Sequence, residues 1–414
     1  MNEAKQKFRL TSLERAWILY DVGNSAFVLL VATLIPIFFN ALAEGGGLSS
    51  VEYLAYWGYA ASAVTVITAV LSPILGTLAD TRNFKKPIFT FCVAVGVIGC
   101  CAMGMASTWL PFLLIFIFAK VGFSGSLVFY DSMLSDVTVP DRMDEVSSKG
   151  YAWGYIGSCV PFVVCLALVL GAGSIGISQM TALNLALFIT AAWWLVTTLP
   201  LLRQYKQVHF VEVQEHAIRQ SFARIGHTLR HLKEDRQVFW FLLAFFCYID
   251  GVYTIIDMAT AYGTALGLDT TGLLLALLVT QIVAFPSALV FGRLSGQYPS
   301  GTLIPVCIAA YAGIALFAFF LKHQWQFWVL AVVVGMFQGG IQALSRSHFA
   351  KIIPPEKSGE YFGLFDICGK SASFLGTMIV SVGSQLTGSA NVGVGSLIVL
   401  FIVGFVLFRV SDQK

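Results

Sequence analysis

Residues 17–40 read Trp-Ile-Leu-Tyr-Asp-Val-Gly-Asn-Ser-Ala-Phe and continue Val-Leu-Leu-Val-Ala-Thr-Leu-Ile-Pro-Ile-Phe-Phe-Asn. About 20 apolar residues suffice to cross a bilayer as a helix, and this run is long enough. Yet Asp21 and Asn24 stand one turn inside its start. A carboxylate in hydrocarbon costs about 2.5–3.5 kcal/mol on insertion scales. Such a group persists only where protein or water receives it. The stretch therefore predicts a membrane helix that lines a polar interior, with the other segments as the wall around it.

Composition agrees. The chain has 414 residues, is 57% hydrophobic and only 11% charged, whereas soluble domains carry about 25% charged residues. A polytopic membrane protein is expected. No basic tract interleaved with aromatics points to nucleic acid. The eight cysteines are scattered through apolar stretches, without CxxC spacing or histidine partners, so they read as small apolar residues, with no metal or other cofactor. Residues 1–16 are charged and polar, and the apolar run after them is too long for a signal-peptide core, so no cleavage is expected.

Apolar segments recur near 17–40, 53–79, 87–107, 110–135, 151–171, 180–202, 237–262, 271–295, 302–321, 325–345, 359–385 and 391–410, which makes twelve candidate spans. Alternate connections hold Lys5, Lys7, Arg9, Arg15, Arg82, Lys85, Lys86, Arg142, Lys149, Arg203 and Arg236, whereas the opposite set holds only Lys322. By the positive-inside rule both termini are expected in the cytoplasm. Residues 203–236 form the one long connection. It contains four of the six histidines, His209, His216, His227 and His231. Ile218, Phe222, Ile225, Leu229 and Leu232 fall there at helical spacing, which predicts an amphipathic helix on the membrane surface. The histidines read as solvated linker residues, with a metal-binding or pH-sensing role as the alternative.

The two flanks of this linker resemble each other. Phe123, Gly125 and Pro140 recur as Phe337, Gly339 and Pro354, offset by 214 residues, and Gly150 and Ser158 as Gly363 and Ser371, offset by 213. Asp250 in the seventh span matches Asp21 in the first by type. The expected organisation is a bundle over 1–202, a cytoplasmic linker over 203–236 and a second bundle over 237–414. This six-plus-six repeat is how major facilitator transporters are built, with the substrate site near the midplane.

The second and third spans are joined by Gly76-Thr-Leu-Ala-Asp80-Thr-Arg82-Asn-Phe-Lys85-Lys86. It resembles the major facilitator signature loop Gly-x-Leu-Ala-Asp-Arg-x-Gly-Arg-Lys-Lys. Glycine permits close helix approach, the Asp caps a neighbouring helix start, and the basic residues hold the cytoplasmic face. The alternative is a tight basic loop that only sets orientation. The matching place in the second half, Gly292-Arg-Leu-Ser-Gly296-Gln-Tyr, lacks the Asp, so the latch is expected to be one-sided.

Leu-Tyr-Asp-Val-Gly-Asn-Ser-Ala-Phe at 19–27, Ser147-Ser-Lys-Gly-Tyr-Ala-Trp-Gly-Tyr-Ile-Gly-Ser158, Gln338-Gly-Gly-Ile-Gln342-Ala-Leu-Ser-Arg346-Ser and Phe362-Gly-Leu-Phe-Asp366-Ile-Cys-Gly-Lys370 resemble the signatures of the vacuole-effluxer-like branch of the major facilitator superfamily. Val22 and Gly23 depart from the Trp-Ala of that pattern. The resemblance implies an all-α membrane protein of twelve transmembrane helices in two pseudo-symmetric six-helix bundles. It also implies export of amino acids or related small solutes, and that the first, fourth, seventh and tenth spans line the cavity.

Polar residues inside the spans fall on shared faces. Asp250, Thr254 and Asp257 are spaced i, i+4, i+7, and Lys120, Ser124 and Asp131 share a face, as do Gln338, Gln342 and Arg346. Asp21, Asn24, Lys120, Asp250, Asp257, Gln338 and Gln342 are expected on the substrate and proton pathway. Lys120 would take a substrate carboxylate, and Asp250 or Asp21 a coupling proton. The alternative is that these charges pair to hold helices together, which is the favoured reading for Asp366 with Lys370. Asp131 and Arg346 are expected to form gating ion pairs. Phe112, Phe116 and Phe118 read as packing or lipid-facing residues.

The reading is a secondary active transporter of a small polar solute, possibly an amino acid exported with proton coupling. It is expected to be monomeric, in the lipid bilayer of the cell (inner) membrane, with the vacuolar membrane as the alternative. A transporter of a lipid or another amphiphile is the nearest rival, and a membrane receptor or scaffold is the rival of another class. No zinc-protease or nucleophile-elbow motif and no ATP-binding loop occurs, so neither an enzyme nor an ATP-driven pump is expected.

Overall fold

The computed structural model describes residues 9–212 and 235–412. In hydrocarbon every backbone N–H and C=O must be satisfied within the chain, so the apolar runs fold as helices. They are α1 (Ser12–Ala32), α2 (Leu34–Gly45), α3 (Ser50–Ala79), α4 (Lys85–Met103), α5 (Trp109–Ser132), α6 (Leu134–Val137), α7 (Pro140–Leu170) and α8 (Gln179–Gln204). After the linker come α9 (Arg236–Ala265), α10 (Thr270–Leu294), α11 (Ser300–Ala318), α12 (Gln324–Ile352), α13 (Ser358–Thr387), α14 (Ala390–Gly395) and α15 (Ile398–Asp412).

Among the described residues, eleven stretches are long and apolar enough to cross a membrane. The twelfth crossing is α13, whose 30 residues span about 45 Å at 1.5 Å per residue. It carries Glu360, Asp366 and Lys370. The protein is a multi-pass integral membrane protein. The first crossing is broken at Thr33, whose backbone leaves helical geometry between α1 and α2. The last is broken between α14 and α15.

Two spans begin or end beyond their apolar runs. The fifth starts at Pro140, not near 151, because proline at the first helical position needs no donor and presets φ. The tenth runs on to Ile352 past its apolar part. Arg142 and Lys149 therefore sit on helix rather than in a loop. Of Phe112, Phe116 and Phe118 on α5, the first two are buried in the core, whereas Phe118 is exposed. The amphipathic helix expected around Ile218 to Leu232, with His216, His227 and His231, lies outside the described residues.

The helices before the linker, α1–α8, make up the first half of the chain and those after it, α9–α15, the second. α3 packs on α13, and α7 on α10 and α12. The α3–α13 crossing depends on glycine. A Cβ on Gly76 would stand 2.2 Å from the Gly359 carbonyl oxygen, and one on Gly359 2.5 Å from that of Gly76. No other side chain permits this backbone contact.

Candidate functional site

A cavity of about 360 Å³ lies between the halves. Of the residues expected on the pathway, Asp21, Asn24, Asp257, Gln338 and Gln342 line it, together with Asp131, Arg346 and Asp366. Arg346 reaches from α12 into the first half. One guanidinium nitrogen is 3.0 Å from Asp131 Oδ1 and 3.5 Å from Asp21 Oδ2. Its Nε donates to Ser147 Oγ at 2.9 Å, and a further nitrogen to the Ser147 carbonyl at 3.0 Å. The rings of Trp17, Tyr151 and Tyr130 lie 4.6, 4.3 and 5.4 Å from the guanidinium carbon. Aromatic faces attract such a cation, the more so when it is desolvated. Arg346 is 2% exposed, so this cage and two carboxylates replace its water.

The described lining carries four carboxylates, Asp21, Asp131, Asp257 and Asp366, against one guanidinium. Tyr155 donates to Gln342 Oε1 at 2.8 Å across the halves. Val28 and Asp257, at the end of the cavity away from the chain termini, are exposed.

Two expected pathway residues are not in this lining. Asp250 is fully buried between α9 and α13 and accepts from the Gly376 amide at 2.9 Å and from Thr254 Oγ1 at 3.3 Å. The Lys120 ammonium lies 4.7 Å from the Phe123 ring centroid and 6.0 Å from that of Phe27.

On the face that carries the chain termini the halves are joined. Asp80 accepts from the amides of Gly359 and Glu360 at 2.7 and 2.8 Å. It thereby caps the start of α13, where orphan N–H groups and the helix dipole favour an anion. Lys85 is fully buried. It donates to Ser358 Oγ at 2.8 Å and stands 3.9 Å from Asp80 and 3.7 Å from Asp136. Lys351 meets Asp144 at 2.6 Å, Ser147 donates to the Ala343 carbonyl at 2.8 Å, and Ser72 to Asp366 at 2.8 Å. Gly292 touches Ser148, where no carboxylate matches Asp80. Arg82 is exposed, 3.6 Å from Glu212, and Lys86 is half-buried. The Lys370 side chain lies outside the described ones.

Burial pushes the Asp80 carboxyl up to about 7. Burial also pushes Asp136 upward, but the hydrogen bond from His209, the Lys85 charge and the hydrogen bond from Tyr205 outweigh it and leave Asp136 below its usual value. His209 is raised, first by that hydrogen bond.

Sequence reasoning did not single out the aromatic cage, Ser147, Tyr155, Asp136 or the Tyr205–His209 contacts. Tyr151 and Tyr155 were legible as an i, i+4 pair on one face of α7. Nothing local marks Asp136 as the partner of a linker residue.

The long helices packed around a charged cavity define a major facilitator fold. Solved structures agree: the human organic anion transporter MFSD10 (TETRAN) superposes with a TM-score of 0.72 at 13% identity, covering 96% of this chain and 98% of that one. The transporter FucP in the outward conformation gives 0.73 at 16%, covering 97% and 98%. The family model described as "Vacuole effluxer Atg22 like" matches residues 12–141 and 135–414, and the chain belongs to that family. It is 42% identical over 411 residues to the "Uncharacterized MFS-type transporter YxiO" of Bacillus subtilis (strain 168), covering 98% of this chain and 96% of that protein. "Autophagy-related protein 22" of Coccidioides immitis (strain RS) is 25% identical over 315 residues, 65% of this chain and 51% of that protein. The chain thus matches about half the length of this fungal relative.

Proposed function

We propose that this transporter moves a small zwitterionic solute, of which an amino acid is the simplest, together with protons and by alternating access. One observation carries the reading: Arg346, a second-half cation, is held by first-half carboxylates in a cavity whose described lining also bears Asp257 and Asp366. A substrate carboxylate competes with Asp131 and Asp21 for the guanidinium. A substrate ammonium is received by Asp131 and Asp21 as Arg346 turns to the substrate carboxylate. Engaging Arg346 loosens its hold on Ser147 and Asp131, and so links occupancy to separation of the halves. Asp21 is the proposed proton carrier, because its protonation removes one of the two charges that retain Arg346.

The termini are proposed to face the cytoplasm and the protein to sit in the cell membrane as a monomer, as the lysine and arginine distribution and the full-length bacterial relative support. The test is solute movement in proteoliposomes with and without a pH gradient, against amino acids, sugars, peptides and lipids. Gradient-driven accumulation of a zwitterion supports the reading; movement of sugars alone overturns it.

An amphiphilic substrate is the second reading. A smaller, mostly apolar pocket lined by Ile255, Tyr262, Phe327, Leu330 and Val394 shares Gln281 and Gln338 with the cavity. It would receive an apolar side group.

A further inference from the structure

The chain leaving α8 does not run straight into the linker. Residues 205–212 turn back over the α3–α4 loop. Tyr205 donates to Asp136 Oδ2 at 2.5 Å, and the His209 amide to Asp136 Oδ1 at 2.9 Å. The His209 ring Nδ1 is also 2.9 Å from Asp136 Oδ1. Gln207 donates to the Ala79 carbonyl at 3.0 Å. Val211 donates to the Asp80 carbonyl at 2.8 Å and accepts from the Arg82 amide at 3.2 Å. The segment therefore grips the loop that carries Asp80 and Lys85, and these two residues grip α13.

We propose that residues 205–212 form a strap in which His209, by gaining or losing one proton, sets how firmly the terminus-bearing face is held shut. The proposal rests on reading that face as a gate. The groups facing His209 are Asp136 on α6, Lys85 at the start of α4 and Glu356 in the turn before α13. Its side chain is 33% exposed, so it exchanges protons with water. Tyr205 shares Asp136, and the exposed Arg82–Glu212 pair lies further along the strap.

Protonated His209 pairs with Asp136 and leaves Lys85 free for Asp80 and Ser358. When His209 is neutral, Asp136 retains Lys85 as its one cation and draws it from Ser358, 2.8 Å away on the other half. Glu356 belongs to the other half and recedes when the halves part. The proton affinity of His209 therefore differs between the closed and open gate. Asp136 stays with His209 when the halves part and only the Glu356 attraction is lost, so the proton is held more tightly in the closed gate by that part alone, and closure weakens as pH rises through the raised value. Asp80, also raised, acts in the same sense. The closed gate is favoured on the acid side.

The test uses full-length protein in nanodiscs with spin labels at Val139→Cys and Tyr298→Cys, two exposed positions on that face, in a background with Cys101, Cys247 and Cys368 replaced by serine. Between pH 6 and pH 8 the closed-to-open ratio of wild type is expected to fall at least about threefold more than that of His209→Gln; one unit of difference in proton affinity corresponds to tenfold. Asp80 leaves a residual dependence common to both proteins. His209→Lys, whose charge is permanent, keeps only the residual Asp80 dependence between pH 6 and pH 8. Equal pH responses in wild type and His209→Gln, or a His209→Lys variant that opens with pH as far as wild type, overturn the strap. If labels respond to solute but not to pH, the strap fails and the transporter reading stands. If they respond to pH but not to solute, the reverse holds.

Discussion

The α3–α13 crossing offers the sharpest perturbation, Gly76→Ala. The added methyl would stand 2.2 Å from the Gly359 carbonyl oxygen and 2.8 Å from its carbon. Carbon contacts are comfortable only near 3.5 Å, so the helices must part by about 1 Å. That movement stretches the Asp80 bonds, now 2.7 and 2.8 Å, beyond useful length. Overpacking costs about 1–3 kcal/mol, and a hydrogen bond to a charged group is worth about 1.5–3 kcal/mol. Together they weaken the closed gate by about 3 kcal/mol with partial relaxation, roughly a 150-fold shift in its equilibrium. Distances between labels at Val139→Cys and Tyr298→Cys are the assay. Gly76→Ala is expected to lengthen them, whereas Gly313→Ala, with open space around its Cβ position, leaves them unchanged. A folded Gly76→Ala protein with the wild-type distance distribution would refute the reasoning.

Four further outcomes follow from the same contacts. Arg346→Lys is expected to weaken zwitterion binding more than tenfold, because an ammonium cannot reproduce the forked geometry, while Lys120→Gln changes it less than twofold; equilibrium binding decides, and the reverse order removes Arg346 from the site. Asp21→Asn is expected to abolish accumulation driven by a pH gradient but to spare counterflow, and equal loss of both would make Asp21 a structural residue. Lys85→Met leaves the buried Asp80 without the cation beside it, a loss of about 3–5 kcal/mol that thermal unfolding in detergent reads; an unchanged Tm contradicts the buried pairing. Asp250→Ala leaves the Gly376 amide without its acceptor, costing about 1–3 kcal/mol with binding intact, and a binding defect in stable protein would return Asp250 to the pathway.

The fold was legible because oil is an unforgiving solvent. Apolar length, charge asymmetry and the 214-residue offset all reflect what a spanning bundle must do. The cavity was legible in part for the same reason, since Asp21, Asp131 and Arg346 are too costly in lipid to face it. Which carboxylate meets which cation was not legible. Helical spacing places Lys120 and Asp131 on one face of α5, yet Asp131 lines the cavity while the Lys120 ammonium lies over the Phe123 ring. Asp250 shares a face with Asp257, but α13 covers the first and leaves the second exposed. Asp136 and His209 are 73 residues apart, and only the return of the chain over the α3–α4 loop joins them.

The central claim is that the halves enclose a wet passage around Arg346, shut toward the chain termini and reachable from the other face. It is tested most directly with Asn24→Cys and Gln342→Cys, each offered a charged, membrane-impermeant thiol reagent from one side at a time. Labelling from the face opposite the termini, slowed by bound solute and reaching the terminus-bearing side only when Gly76→Ala opens the gate, is the predicted result. Reaction with lipid-soluble reagents alone, or equal labelling from both sides in the wild-type background, would contradict it.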